Sequence, residues 1–145
     1  MSARKFFTQQ QLDDIKMSVQ SAELDTSGEI RVHIEEVCKG DVLDRAAFIF
    51  QKLGMTKTEL RNGVLIYLAI KNRKFAIIGD GGINSKVHED FWDKCKSIML
   101  NNFRDGLFTE GLCQAVLLAG EQLKQHFPHQ KDDVNELPDD VSFDL

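Results

Sequence analysis

The residues best placed for chemistry form a short loop, Gly79-Asp80-Gly81-Gly82-Ile83-Asn84. A carboxylate and an amide stand in a run of glycines, and without Cβ atoms such a loop can turn several backbone carbonyls toward one point. Carboxylate, amide and carbonyl oxygens are hard donors that suit Ca²⁺ or Mg²⁺, whereas zinc takes His and Cys. Ordinary turns use the same residue types, so the loop alone reads as a turn as readily as a site.

The loop follows two apolar runs. Val64-Leu65-Ile66-Tyr67-Leu68-Ala69-Ile70 is continuously apolar, which predicts a strand covered on both faces. Residues 71–74 turn it back into Phe75-Ala76-Ile77-Ile78 and are too few for a crossover, so the second run returns antiparallel. Upstream, residues 29–35 alternate with period two, a strand with one well-buried face and a polar face of Glu29, Arg31, His33 and Glu35. Between the strands, residues 43–53 line up Ala46, Ala47, Ile49, Phe50 and Leu53 on one side of a helix, with Asp44 near its positive end. Strand, helix and strand make a right-handed crossover with parallel strands.

Three more helices complete the reading. Thr8 caps an amphipathic helix carrying Leu12, Ile15, Val19, Ala22 and Leu24, and Asn84 or Ser85 caps one carrying Val87, Phe91, Trp92, Cys95, Ile98 and Met99. Thr109 opens the last helix, which Pro128 stops. The predicted class is α/β with a small mixed sheet.

With two strands up and one down, the end of the third lies beside the beginnings of the first two. Asp80 and its loop should therefore share an edge with residues 25–29 and 59–62. This gathers a candidate metal set: Glu29 and Asp80 as carboxylates, Asn62 and Asn84 as amide oxygens, and loop carbonyls. The opposite edge collects Glu36, Asp41, Asp44 and Asp105. His88 follows the loop closely, but its position reads first as a solvated helix start, and His33 as a satisfied structural histidine. Arg31 is expected to pair with Glu29 or Glu35, and Arg61 to lie on an exposed loop where a phosphate contact is the less favoured reading.

Several motifs are excluded. Asn84 stands where a dinucleotide fingerprint needs its third glycine, no Gly-Lys-Ser/Thr follows as in a P-loop, and the EF-hand ligand pattern is missing. The four histidines make no metal pair at helical spacing, and no Ser or Cys stands in a nucleophile elbow.

At 145 residues and 42% apolar content, one domain is expected, residues 1–128, followed by an acidic, flexible tail over 129–145 whose Leu137, Val141 and Phe143 could dock on the domain. A net charge of −5 disfavours nucleic acid or an anionic membrane as partner. No apolar run approaches the roughly 20 residues of a bilayer span and the first residues lack a signal h-region, so a cytoplasmic location is expected. Cys38, Cys95 and Cys113 form no CxxC pair, which suits reduced thiols.

Four pieces in order, Thr26-Ser27-Gly28-Glu29-Ile30-Arg31-Val32, Asn62-Gly63-Val64-Leu65-Ile66, Ile78-Gly79-Asp80-Gly81-Gly82-Ile83-Asn84 and the stretch 103–112 (Phe-Arg-Asp-Gly-Leu-Phe-Thr-Glu-Gly-Leu), resemble the TPM-domain family. That family is named for a thylakoid acid phosphatase, a photosystem II repair protein and a worm receptor modulator. The resemblance covers about residues 8–127 and implies a three-layer α/β/α sandwich, divalent-cation binding and, for some members, phosphatase activity. Many members are exported or membrane-attached; this chain resembles a free-standing cytosolic version. Its loop has an extra glycine, and Asn84 stands where the family usually has Glu.

Two functional readings follow. The first is a Ca²⁺- or Mg²⁺-binding domain using Glu29, Asn62, Asp80 and Asn84, with a metal-dependent phosphatase as its extension. The second is a non-enzymatic interaction or regulatory module that recognises a protein partner.

Overall fold

A computed structural model describes residues 2–129 and 137–143. The single turn Ala3–Phe6 (α1) leads to Gln9–Glu23 (α2), which opens on a capping box between Thr8 and Gln11. The strand Glu29–Glu35 (β1) is followed by Val42–Lys52 (α3), which the Asp41 side chain caps by accepting from the Asp44 N–H. A 3₁₀ turn, Met55–Lys57, leads into Gly63–Ala69 (β2), and a hairpin returns the chain as Lys74–Gly79 (β3). Next come Gly81–Asn84 (α4), Asp90–Arg104 (α5), Phe108–His126 (α6) and the short strand Ser142–Phe143 (β4).

The sheet runs β3-β2-β1-β4, with β1 parallel to β2 and β3 antiparallel to it, as expected. The fold is an α/β/α sandwich. One face, carrying Ile30, Val32, Ile34, Val64, Ile66 and Leu68, packs on α2, α5 and α6. The other, carrying Leu65, Tyr67, Ala69 and Ala76, packs on α3 and Met55. Burial of the Val, Leu and Ile side chains among these, each contributing roughly 1.5–3 kcal/mol, fixes the sheet between its two helical layers. Among the described residues, no helix is long and apolar enough to cross a membrane.

Three features differ from expectation. All seven residues of β1 are buried, because α3 covers the face that the alternating pattern assigns to polar surroundings. The helix after the glycine loop does not start at Asn84 or Ser85: Asp80 caps the single turn α4, and α5 begins only at Asp90. A fourth strand, β4, pairs parallel to β1 at His33 and Ile34. Within the acidic end, Val141 and Phe143 pack on the α2/α6 side and Leu137 on the α3 side. Two paired residues are too few to print a period on the sequence.

Candidate functional site at the Asp80 edge

The site begins where β3 ends. Gly79 passes so close to its neighbours that a Cβ would stand 2.6 Å from the Trp92 ring and 2.8 Å from Ile83. Asp80 extends the ladder by one bond, its N–H donating to the Gly63 carbonyl at 2.9 Å. Its carboxylate then accepts from the Gly81 N–H at 2.7 Å and caps α4. Gly82 donates to the Arg61 carbonyl at 2.8 Å, and a Cβ here would meet the Leu60 and Arg61 carbonyl oxygens at 2.2 and 2.5 Å. Only glycine lets the two loops join this closely.

Arg61 is the residue that sequence reasoning left aside. Held at φ 53°, it grips Asp80 with both arms of its fork, Nε to Oδ2 at 2.7 Å and Nη2 to Oδ1 at 2.8 Å. The guanidinium side chain is 55% exposed and the carboxylate 7%. Burial pushes the Asp80 carboxyl up, but the Arg61 hydrogen bonds, the Gly81 N–H and the Arg61 charge outweigh it, and the group is held below the usual aspartate range. The site therefore presents a fixed carboxylate with a cation already on it. The one available signal was adjacency, since Arg61 precedes the candidate Asn62 and shares the edge where Asp80 was placed.

The other expected ligands reach the same edge by their backbones and diverge in their side chains. The Glu29 N–H donates to the Asn62 carbonyl at 3.4 Å, so both lie beside Gly63 and Asp80. Both side chains are buried, and Asn62 Nδ2 lies 3.5 Å from the Ser27 hydroxyl. Asn84 is engaged at both ends of its amide: Nδ2 donates to the Gly79 carbonyl at 2.6 Å and Oδ1 accepts from the Trp92 indole at 2.9 Å. Among the described residues, no three His, Cys, Asp or Glu side chains stand close enough together to hold a metal ion. His88 is solvated and pairs with Asp90, at 3.4 Å between Nδ1 and Oδ2.

A second polar cluster lies inside the α3 face. Glu35 receives the Tyr67 hydroxyl at 2.6 Å, Arg45 through Nε at 3.0 Å and through Nη2, and faces His33 Nε2 at 3.2 Å. Burial acts to raise its pKa, but these donors pull it down to about 2. His33 Nδ1 lies 2.7 Å from the Ser142 hydroxyl, which ties β4 to the cluster. Arg31 does not pair with Glu35, whose oxygens are taken; the carboxylates that act on Arg31 are Asp140 and Asp139 of the docked end. The three cysteines are free.

A small mixed sheet between two helical layers, with an acid-bearing glycine loop closing its antiparallel strand, defines a compact α/β/α domain with an ionised carboxylate at one sheet edge. The chain belongs to the family described as the TPM domain, whose model matches residues 2–122. It is similar in structure to the BA42 protein of the psychrophilic bacterium Bizionia argentinensis, with 43% identity over 96% of each chain and a TM-score of 0.89. Two more distant structures share the fold. The N-terminal domain of a P. gingivalis protein has 17% identity, 86% of this chain and 82% of that one covered, and a TM-score of 0.67. The N-terminal domain of cg2496 from Corynebacterium glutamicum has 11% identity, 90% and 81% covered, and a TM-score of 0.67. No curated protein matches.

Proposed function

We propose that this TPM domain binds a divalent cation, Ca²⁺ or Mg²⁺, at the Asp80 edge, with Arg61 as the resident cation that the metal displaces. One observation carries the reading: a buried carboxylate at the mouth of a glycine loop is kept ionised by an exposed, positive-φ arginine. The Arg61 side chain is half exposed and can turn into water, and the arriving metal ion replaces the positive charge withdrawn from the buried carboxylate. The Leu60 and Arg61 carbonyls close on Gly82 in the same loop pair, and hard oxygen donors of that kind are what such ions need. Glu29, Asn62 and Asn84 reach this edge by their backbones, and as further donors their side chains would have to turn toward the ion, Asn84 after releasing Trp92. With so few charged ligands, the expected dissociation constant is about 10⁻⁵ to 10⁻³ M.

A phosphatase step has less support. The loop feeds a single helical turn, and the first turn of α5 carries Asp90 and Asp93, which repel a phosphate. The test is a Ca²⁺ and Mg²⁺ titration of metal-stripped protein followed by amide NMR. Saturable shifts at residues 60–63 and 79–84 are expected, lost in Asp80→Ala. They should occur at severalfold lower concentration in Arg61→Gly, which removes the competing cation at a backbone angle glycine accepts. A titration that does not saturate, or one that Asp80→Ala leaves unchanged, sinks the assignment.

A further inference from the structure

Among the described residues only two non-glycine positions have positive φ, and both are arginines at sheet ends: Arg61 and Arg73, at 53° and 54°. Glycine or asparagine would hold either position with less strain, so a side-chain reason for arginine is worth seeking. For Arg61 the reason is Asp80. Arg73, in the β2–β3 hairpin at the opposite end of β3, has no carboxylate partner among the described residues.

What Arg73 does line is a cavity of about 150 Å³ walled by Leu68, Phe75, Leu100, Phe103 and Phe108, with Arg104 as its second cation. Phe103 stands edge-on to Phe75 at 5.2 Å and stacks with Phe108 at 5.3 Å, so the wall is a fixed aromatic array. Arg104 donates to the neutral Asn101 amide oxygen at 2.9 Å, which leaves its charge unneutralised. The volume is about that of a benzene-sized guest. Phe75 and Leu100 also border an adjoining groove of about 500 Å³, lined further by Lys96 and by one acid, Asp93.

We propose that this cavity binds small apolar carboxylates, seating an aromatic or branched aliphatic group against the phenylalanine rings and holding the carboxylate with Arg73 and Arg104. Two guanidiniums without carboxylate partners among the described residues, over an apolar cavity of single-ring size, select for a guest that is greasy at one end and anionic at the other. A free small acid and the carboxy-terminal residue of a polypeptide share that chemistry. The site is independent of the cation edge, which lies one strand length away.

The test uses the full chain with three probes, phenylacetate, its neutral isostere phenylacetamide, and a hexapeptide ending in phenylalanine, followed by NMR of the phenylalanine rings and Leu100. Phenylacetate is expected to give saturable shifts at Phe75, Leu100, Phe103 and Phe108, with a dissociation constant on the order of 10⁻⁴ to 10⁻³ M. Arg73→Gly, which suits the backbone angle and keeps the fold, should weaken it about tenfold, and phenylacetamide should bind wild type more weakly still, since it gives up the charge contact with Arg104 as well. Tighter binding by the peptide than by the free acid assigns the natural ligand to a chain terminus; the reverse assigns it to a metabolite-sized acid. No saturable shift with phenylacetate, or equal binding of acid and amide, overturns the proposal.

Discussion

Glu35 shows how much one buried carboxylate can organise. Four donor atoms from Arg45, Tyr67 and His33 converge on it, and its folded pKa lies near 2 against an ordinary 4.5. Because the folded value is depressed, the stabilisation is fully present above pH 4.5 and is lost as pH falls toward 2. At about 1.4 kcal/mol per unit, that is roughly 3 kcal/mol. Urea melts between pH 5 and pH 2 should show a steep loss of stability that Glu35→Gln flattens, starting from a lower plateau at pH 5. An unchanged slope in the variant would place the acid sensitivity elsewhere.

At the scale of elements, the decisive contact is between two loops. Residues 60–62 and the turn α4 touch through Gly82, with no room for a methyl group against the Leu60 and Arg61 carbonyls. Gly82→Ala must push the loops apart, at a cost of about 2 kcal/mol or more. A lower melting temperature is expected, together with loss of the Arg61 guanidinium shift that reports its pairing with Asp80. If the variant melts normally with Arg61 still paired, the close approach is not what positions the site. Gly81, whose Cβ would meet nothing within 4 Å, is the matched control.

For the molecule as a whole, the acidic end completes the sheet. The Glu29 N–H points to β2, so by alternation the N–H groups of Ile30, Val32 and Ile34 face the far edge, where Glu23 takes the first at 2.8 Å and β4 lies beside the others. Lys16 pairs with Asp140 at 2.9 Å and the Arg4 guanidinium sits 4.5 Å above the Phe143 ring, fastening this segment to the first two helices. A chain ending at residue 136 should expose the β1 edge along with apolar surface that Val141 and Phe143 cover, and unpaired edges invite association. Concentration-dependent oligomers by light scattering are the expected outcome. A truncated chain that stays monomeric and melts like the full one would show that β4 contributes little.

The sequence alone determined the order of the first three strands, the parallel β1–β2 and antiparallel β2–β3 pairings and the edge to which Glu29, Asn62, Asp80 and Asn84 come, because apolar periodicity and a four-residue connection leave the backbone little choice. It also carried the family, through motifs whose order survives in residues 2–122. It did not determine side-chain partners. Asp80 and Asn62 read as neighbours, yet the carboxylate goes to Arg61, whose left-handed backbone angle turns it toward Asp80 and which no periodicity marks. The polar residues of β1 read as one face of a strand, and only the placement of α3 over that face made a buried cluster around Glu35. Local pattern reports what a residue's neighbours in the chain require; charge partners, strand edges and cavities are set by groups tens of residues away, and only the packed tertiary structure brings those together.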